Sequence, residues 1–149
     1  MNETNGIFHH ILVPTDGSQP SNDAGEVAMQ LAQIHHARLT FIYVVDDSVV
    51  EKLSVSMRKN RETVIRELRH SGLQYLDHLV RMTRNTDLKT NTVICQGNPW
   101  NEIDQLARKE GVDLIVIGQV GRSLARHTVI GPVAERVIQI APCPVLVTK

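Results

Sequence analysis

The sequence predicts an α/β layer fold built on an open parallel sheet, and two observations carry the prediction. Five short runs rich in valine and isoleucine, at residues 11–13, 39–45, 92–95, 114–117 and 145–147, mostly lack the polar alternation of a half-exposed strand. Segments with the three-and-four spacing of amphipathic helices lie between them. Strand and helix therefore alternate along the chain, which selects right-handed crossovers and a sheet covered on both faces. At 149 residues the chain suits one domain, residues 1–149, with a sizeable core.

The first helix is marked by Ala24, Val27, Ala28, Leu31, Ala32 and Ile34. A second, longer and more polar, runs across Ile65, Leu68, Gly72, Leu76 and Leu79. Ile103, Leu106 and Ala107 mark a third, with Pro99 suited to its first turn, and Val133, Val137 and Ile140 mark the last. Residues 46–60 have no clear period and fit either a mobile lid or the start of a long helix. Pro144 can head a strand but cannot donate within a ladder, which places the final strand at a sheet edge. An apolar edge tends to pair, so Val145, Leu146 and Val147 predict a homodimer through this strand.

Composition narrows the function. Lysine plus arginine equals aspartate plus glutamate, 16 against 16, so no global field favours nucleic acid or an anionic membrane. Aromatics, at 3%, are too few to build base-stacking platforms. No apolar run approaches the roughly 20 residues that span a bilayer. The polar residues 1–6 lack the basic and apolar regions of a secretion signal, so a cytoplasmic protein is expected. Cys95 and Cys143 are isolated and read as reduced core thiols.

Two strand ends carry loop chemistry. Pro14-Thr15-Asp16-Gly17-Ser18 follows the first strand. After the fourth strand, Gly118-Gln119-Val120-Gly121-Arg122 opens a loop that returns through Ile130-Gly131-Pro132 to a helix start. Glycines let backbone N–H groups approach an anion, and the helix N-terminus adds partial positive charge. Parallel sheets hold ligands at the carboxyl ends of their strands, where the order reverses. Both loops face one crevice if the first and fourth strands are neighbours. The bland readings are a tight turn for each glycine, helix capping for Asp16, and solvated charge for Arg122 and Arg126.

Catalytic motifs are missing. Gly17-Ser18 is not part of a GxSxG elbow, GxxxxGK[ST] does not occur, and the Gly118 loop is not GxGxxG. The seven histidines form no HxxxH or HExxH spacing, and no metal site is expected. His9-His10 and His35-His36 are adjacent pairs, and neighbours on an extended strand point to opposite faces. His70 and His78 read as solvent-facing, and Trp100 as a packing residue at a helix start.

At these residues the chain resembles the universal stress protein family. The stretches ILVPTDGS from Ile11, VVDD from Val44, GNP from Gly97, DLIVIG from Asp113 and PVAERVIQIAPCPVLV from Pro132 carry the likeness across almost the full length. The resemblance implies a flavodoxin-like, adenine-nucleotide α-hydrolase-like open parallel five-stranded sheet, order 3-2-1-4-5, with helices on both faces. It also implies an adenine nucleotide, ATP, ADP or AMP with or without Mg, and a dimer through the last strand. Carried over by position, Asp16 would hold ribose hydroxyls or a metal-bound phosphate. Pro14 and Thr15 would line base and sugar, and Val44 would offer its backbone to adenine. Ile117, Gly118, Gly121, Gly131 and Val133 would surround sugar and phosphates. The sign and position of Arg122 and Arg126, rather than the resemblance, suggest that they add charge at the phosphate end.

The chain departs from the nucleotide-binding branch at one point. Gly118, Gly121 and Gly131 satisfy the spacing G-x2-G-x9-G, but Pro132 stands where that branch has serine or threonine. Proline lacks both the hydroxyl and a backbone N–H. Each charge-assisted bond to a phosphate is worth roughly 1.5–3 kcal/mol. Proline nonetheless fits the first turn of a helix, so the loop need not collapse. Two readings follow: a nucleotide-responsive stress factor, or a dimeric interaction module with a vestigial site. Hydrolysis, at most a slow ATPase activity, is a weaker third, because no water-activating base is evident.

Overall fold

The computed structural model describes residues 6–121 and 129–149. In chain order the elements are β1 (His10–Pro14), α1 (Gln19–His35), β2 (Arg38–Asp46), α2 (Asp47–Ser56), α3 (Arg61–Met82), β3 (Thr90–Gly97), α4 (Pro99–Lys109), β4 (Leu114–Gly118), α5 (Pro132–Ile140) and β5 (Val145–Thr148). The five strands form one sheet of order β3-β2-β1-β4-β5, and every pairing is parallel. β1 and β4 are thus neighbours, with Ile11 opposite Leu114 and Leu12 opposite Ile115. The Asp113 carboxylate ties their amino ends together by accepting the N–H groups of His9 and His10 at 2.8–3.0 Å. Both carboxyl ends therefore emerge side by side.

Period-two alternation along the strands builds two cores. Ile11, Val13, Leu39, Phe41, Tyr43, Val45 and Val116 face α1, α2 and α3. Leu12, Ile42, Ile115 and Ile117 face α4 and α5. The expectation of strands buried on both faces holds for β1 and β4, whereas β3 is half-exposed because it forms one edge of the sheet. β5 forms the other edge, as Pro144 indicates. Trp100 packs against the second core and lies 4.9 Å beneath the Arg136 guanidinium, joining α4 to α5.

Local signals explain the boundaries. Ser18 caps α1, its hydroxyl accepting Ser21 N–H at 3.3 Å, and buried Ala24, Ala28 and Ala32 let the helix lie close to the sheet. Residues 46–60 are not the beginning of one long helix: they form a separate helix, α2, and the cap of α3. Asp46 caps α2 by accepting Ser48 N–H, and Asn60 caps α3 by accepting Glu62 N–H, both at 2.8 Å. Between them Arg58 takes a left-handed φ of 51°, which separates the two helices. His9 is exposed while His10 is buried against Thr40, as opposite faces of a strand require. His70 and His78 are both exposed on α3.

Candidate functional site

A cavity of about 480 Å³ opens at the carboxyl ends of β1, β2 and β4, within the size range of small-molecule sites. The loop after β1 contributes Pro14, Thr15 and Asp16, and the end of β4 contributes Ile117, Gly118, Gln119, Val120 and Gly121. The return to α5 contributes Gly131, Pro132, Val133 and Ala134, while Val44 comes from β2. Every expected site residue except Arg122 thus lines one space; Arg122 and Arg126 lie outside the described residues. A second cleft, about 400 Å³ at the opposite end of the sheet, is lined by His36, Arg38, Asp87 and Lys89 among others and contains none of the loop glycines.

The turn after β1 is held by its own side chains. Thr15 donates its N–H to Ile42 O at 2.9 Å. The Thr15 hydroxyl accepts Gly17 N–H at 3.1 Å and shares a 3.1 Å hydrogen bond with Ser21 Oγ. Asp16 Oδ1 accepts Ser18 N–H at 3.0 Å, while Ser18, not Asp16, caps the helix. The other carboxylate oxygen faces the Gly118 loop: a Cβ built on Gly121 would stand 2.4 Å from Asp16 Oδ2. The carboxylate is therefore oriented across the cavity by a turn that needs no ligand to form.

The glycines facing it are explained by space and not by dihedral angle. Neither Gly118 nor Gly121 adopts a left-handed φ, and Gly131 sits at φ −73°. A Cβ on Gly118 would lie 2.9 Å from the backbone C and O of Pro20, so this glycine lets α1 abut the end of β4. The return is anchored by main-chain bonds: Gly131 N–H donates to Gln119 O at 2.7 Å and Gln119 N–H to Thr148 O at 2.8 Å. The Gln119 side-chain amide also donates to Val129 O.

Pro132 occupies the first position of α5 behind Gly131 as the N-cap, with no side-chain cap. The first backbone bond across this start runs from Glu135 N–H to Gly131 O at 2.9 Å. Helix geometry leaves the N–H groups of Val133 and Ala134 without intrahelical partners, and both residues line the cavity. The proline removes one donor and leaves two in the position that helices use for anions.

Sequence reasoning missed the α2–α3 side of the cavity. Tyr43, Asp46, Val49, Leu68, Ser71 and Tyr75 all contribute to the wall. Leu68, Ser71 and Tyr75 follow helical spacing one strip away from the buried Gly72, Leu76 and Leu79 face. The available signal was the offset of these residues from the core stripe. Among the described residues no group of three or more histidine, cysteine or acidic side chains is placed to hold a metal.

Both thiols stand away from this wall. Burial, reinforced by Glu102, pushes Cys95 up to about 11, and burial with Asp113 raises Cys143. Neither is a thiolate at neutral pH.

An open parallel sheet with helices on both faces and a cavity at the β1/β4 order reversal defines a doubly wound α/β domain. Residues 7–149 match the Universal stress protein family, and the chain belongs to that family. It is 36% identical over 143 residues to universal stress protein MJ0531 of Methanocaldococcus jannaschii, covering 96% of this chain and 83% of that one. The solved structure of MJ0577 from the same organism superposes with a TM-score of 0.83 at 24% identity, covering 95% of this chain and 96% of that one. A universal stress protein from Archaeoglobus fulgidus, described in complex with dAMP, gives a TM-score of 0.65 at 19% identity, covering 96% and 99% of the two chains.

No helix among the described residues is long and apolar enough to cross a membrane.

Proposed function

We propose that this protein is a cytoplasmic stress-response factor whose β1/β4 cavity binds an adenine nucleotide. The observation that carries the reading is the convergence of the Asp16 carboxylate, the close-packed Gly118 and Gly121 backbone and the α5 helix start on one cavity. Base and sugar fit the wall made by Pro14, Thr15 and Val44, with Asp16 accepting from ribose hydroxyls. The phosphates lie toward Gly118, Gly121, Gly131 and the N–H groups of Val133 and Ala134, with Arg122 and Arg126 adding charge and Mg optional. That a family member of the same fold is described with dAMP supports an adenine nucleotide as ligand. Pro132 was the sequence feature favouring a vestigial site, and its place at the head of α5 leaves that argument weaker, because two helix-start donors remain.

We further propose a homodimer through β5. This edge strand carries Leu146 at 39% exposure between half-buried Val145 and Val147. Antiparallel pairing with a second copy would cover that side chain and the open ladder together.

Thermal unfolding with and without AMP, ADP, ATP–Mg and GTP tests the reading. Ligand at about a hundred times its dissociation constant stabilises by roughly 2.7 kcal/mol, a rise of about 5–10 °C for a chain of this size. The expected result is a shift confined to adenine nucleotides. No shift at millimolar concentrations would leave the dimeric interaction module as the better account. Sedimentation of a Leu146→Lys variant tests the dimer: it is expected to be monomeric where the parent is not.

A further inference from the structure

We propose that α2 is a lid: it swings as one rigid helix to open and close its side of the cavity, and an exposed polar latch holds it shut. The ligand that the lid admits rests on the nucleotide reading above; the lid itself does not. Asp46 and Val49 bring the start of α2 into the cavity wall, together with Leu68 and Ser71 of α3. Lifting α2 therefore opens the wall that lies away from the glycine loop.

The helix completes its own hydrogen bonding at both ends. At its start, Asp46 Oδ1 accepts the N–H and the hydroxyl of Ser48, both at 2.8 Å. At its end, Arg58 N–H donates to Val55 O at 3.4 Å and Lys59 N–H to Ser54 O at 3.1 Å, with Arg58 left-handed between helix and exit. That pattern is a Schellman closure, which satisfies the last carbonyls from within the segment. Among the described residues no backbone hydrogen bond joins α2 to another element. Asp46 stays in the ladder opposite Gly97, and Asn60 stays on α3 as its cap. The chain can thus bend at the Asp46–Asp47 and Lys59–Asn60 junctions without unwinding the helix between them.

Little apolar packing opposes the movement. Val50 is the one buried residue of α2, whereas α3 beside it buries Val64, Gly72, Leu76 and Leu79. Leu53 packs half-buried against the first core, and Val55 is 77% exposed. The remaining ties from α2 to its neighbours are polar. Glu51 pairs with Arg61 at the start of α3, and Asp47 Oδ1 accepts the Gln96 side-chain amide of β3 at 2.9 Å. Both ties lie in solvent, where an ion pair holds only weakly. A self-contained helix with a thin apolar anchor belongs to the least stable part of a fold, from which lids are drawn.

The test combines amide hydrogen exchange without ligand and stopped-flow association and dissociation of AMP. It compares wild type, Glu51→Gln and a control, Arg81→Gln, which breaks the pair with Asp77 inside α3. Wild-type α2 amides are expected to exchange together and well before those of α3. Glu51→Gln is expected to speed that exchange about two- to fivefold and to leave α3 unchanged. The latch closes the lid with or without ligand, and AMP waits for opening in both directions. Its loss is therefore expected to raise the association and dissociation rates by the same factor, so that the dissociation constant stays that of wild type. Arg81→Gln is expected to change neither exchange nor rates. Exchange of α2 only in step with α3 would overturn the lid. Faster dissociation at an unchanged association rate would overturn it too, because that is the behaviour of a fixed wall. An equal effect of Arg81→Gln would also overturn it, by showing general loosening. A wild type that binds no AMP overturns the nucleotide reading alone, and the exchange of α2 in wild type and Glu51→Gln then decides the lid.

Discussion

The two loops that meet across the cavity are built by different means. After β1, side chains hold the turn: Thr15 bonds Gly17 and Ser21, Asp16 bonds Ser18, and Ser21 Oγ donates to Ser18 O at 2.8 Å. After β4, the main chain does most of this work, through Gln119 to Thr148 and Gly131 to Gln119. The first loop satisfies its own polar groups and presents a carboxylate. The second has glycine at 118, 121 and 131, where its described residues and the start of α5 line the cavity. On the proposed reading, one loop is shaped before any ligand arrives, and the other is where the ligand enters.

The sharpest way to break the comparison is at the point where the loops touch. Gly121→Val places a side chain against Asp16 Oδ2, an atom at the end of a side chain that can swing aside. The fold therefore survives while the carboxylate is displaced and the backbone approach is blocked. Losing such charge-assisted contacts is expected to weaken nucleotide binding by about a hundredfold or more, read by calorimetric titration. A folded Gly121→Val variant with wild-type affinity would refute the placement of ligand between these loops.

Gly118→Ala is expected to behave in the opposite way, although it lies in the same loop. Its new methyl group would meet the Pro20 backbone at 2.9 Å, and backbone cannot swing aside. The cost falls on folding, about 1–3 kcal/mol as for other overpacked sites, visible as a lowered urea midpoint. If affinity fell without any loss of stability, the two glycines would not be doing separate jobs.

Pro132→Ser sharpens the second loop instead of breaking it. The substitution restores a hydroxyl and an N–H at the first position of α5 without disturbing Gly131, whose φ of −73° any residue accepts. Triphosphate affinity is expected to rise about tenfold or more for one added donor, with AMP less affected. Unchanged affinity for both would mean that the phosphates do not reach this helix start.

The same contrast explains what was legible in the sequence. Strand runs such as residues 114–117 and the glycine spacing are local patterns, and the order 3-2-1-4-5 followed from family likeness rather than from periodicity. Asp16 was recognisable, but its real partners, Ser18 N–H and the space at Gly121, were not. The first depends on turn geometry, and the second joins residues more than a hundred positions apart. Residues 46–60 misled because the pattern of α2 is weak: one buried residue, Val50, holds it to the core, and caps at Asp46 and Asn60 define the helices. Tyr75 escaped because a ring on the shoulder of an amphipathic helix looks like ordinary packing until the tertiary structure sets it against Gly17. Patterns within an element were readable, and contacts between elements were not.

The smallest effect separates the site from the core beside it. Cys95 pairs with Val44 across β2 and β3 but does not line the cavity. Burial, and after it Glu102, raises its thiol from an ordinary 9.0 to about 11. The folded state therefore holds the thiol proton more tightly than the unfolded chain does. The resulting stability is fully present below pH 9 and is lost as pH rises toward 11. Cys95→Ser is expected to flatten that part of the stability–pH curve slightly, because the thiol is only partly buried. Glu102→Gln removes the lesser cause, so alkylation of Cys95 is expected to begin at a somewhat lower pH than in the parent, while burial still keeps the thiol above its ordinary value. Neither change touches Asp16 or the glycines, and nucleotide affinity at neutral pH is expected to be that of the parent. Altered affinity in Cys95→Ser would show that the β3 edge feeds into the cavity through Val44, and the division between a self-supporting scaffold and a ligand-shaped loop would then extend into the sheet itself.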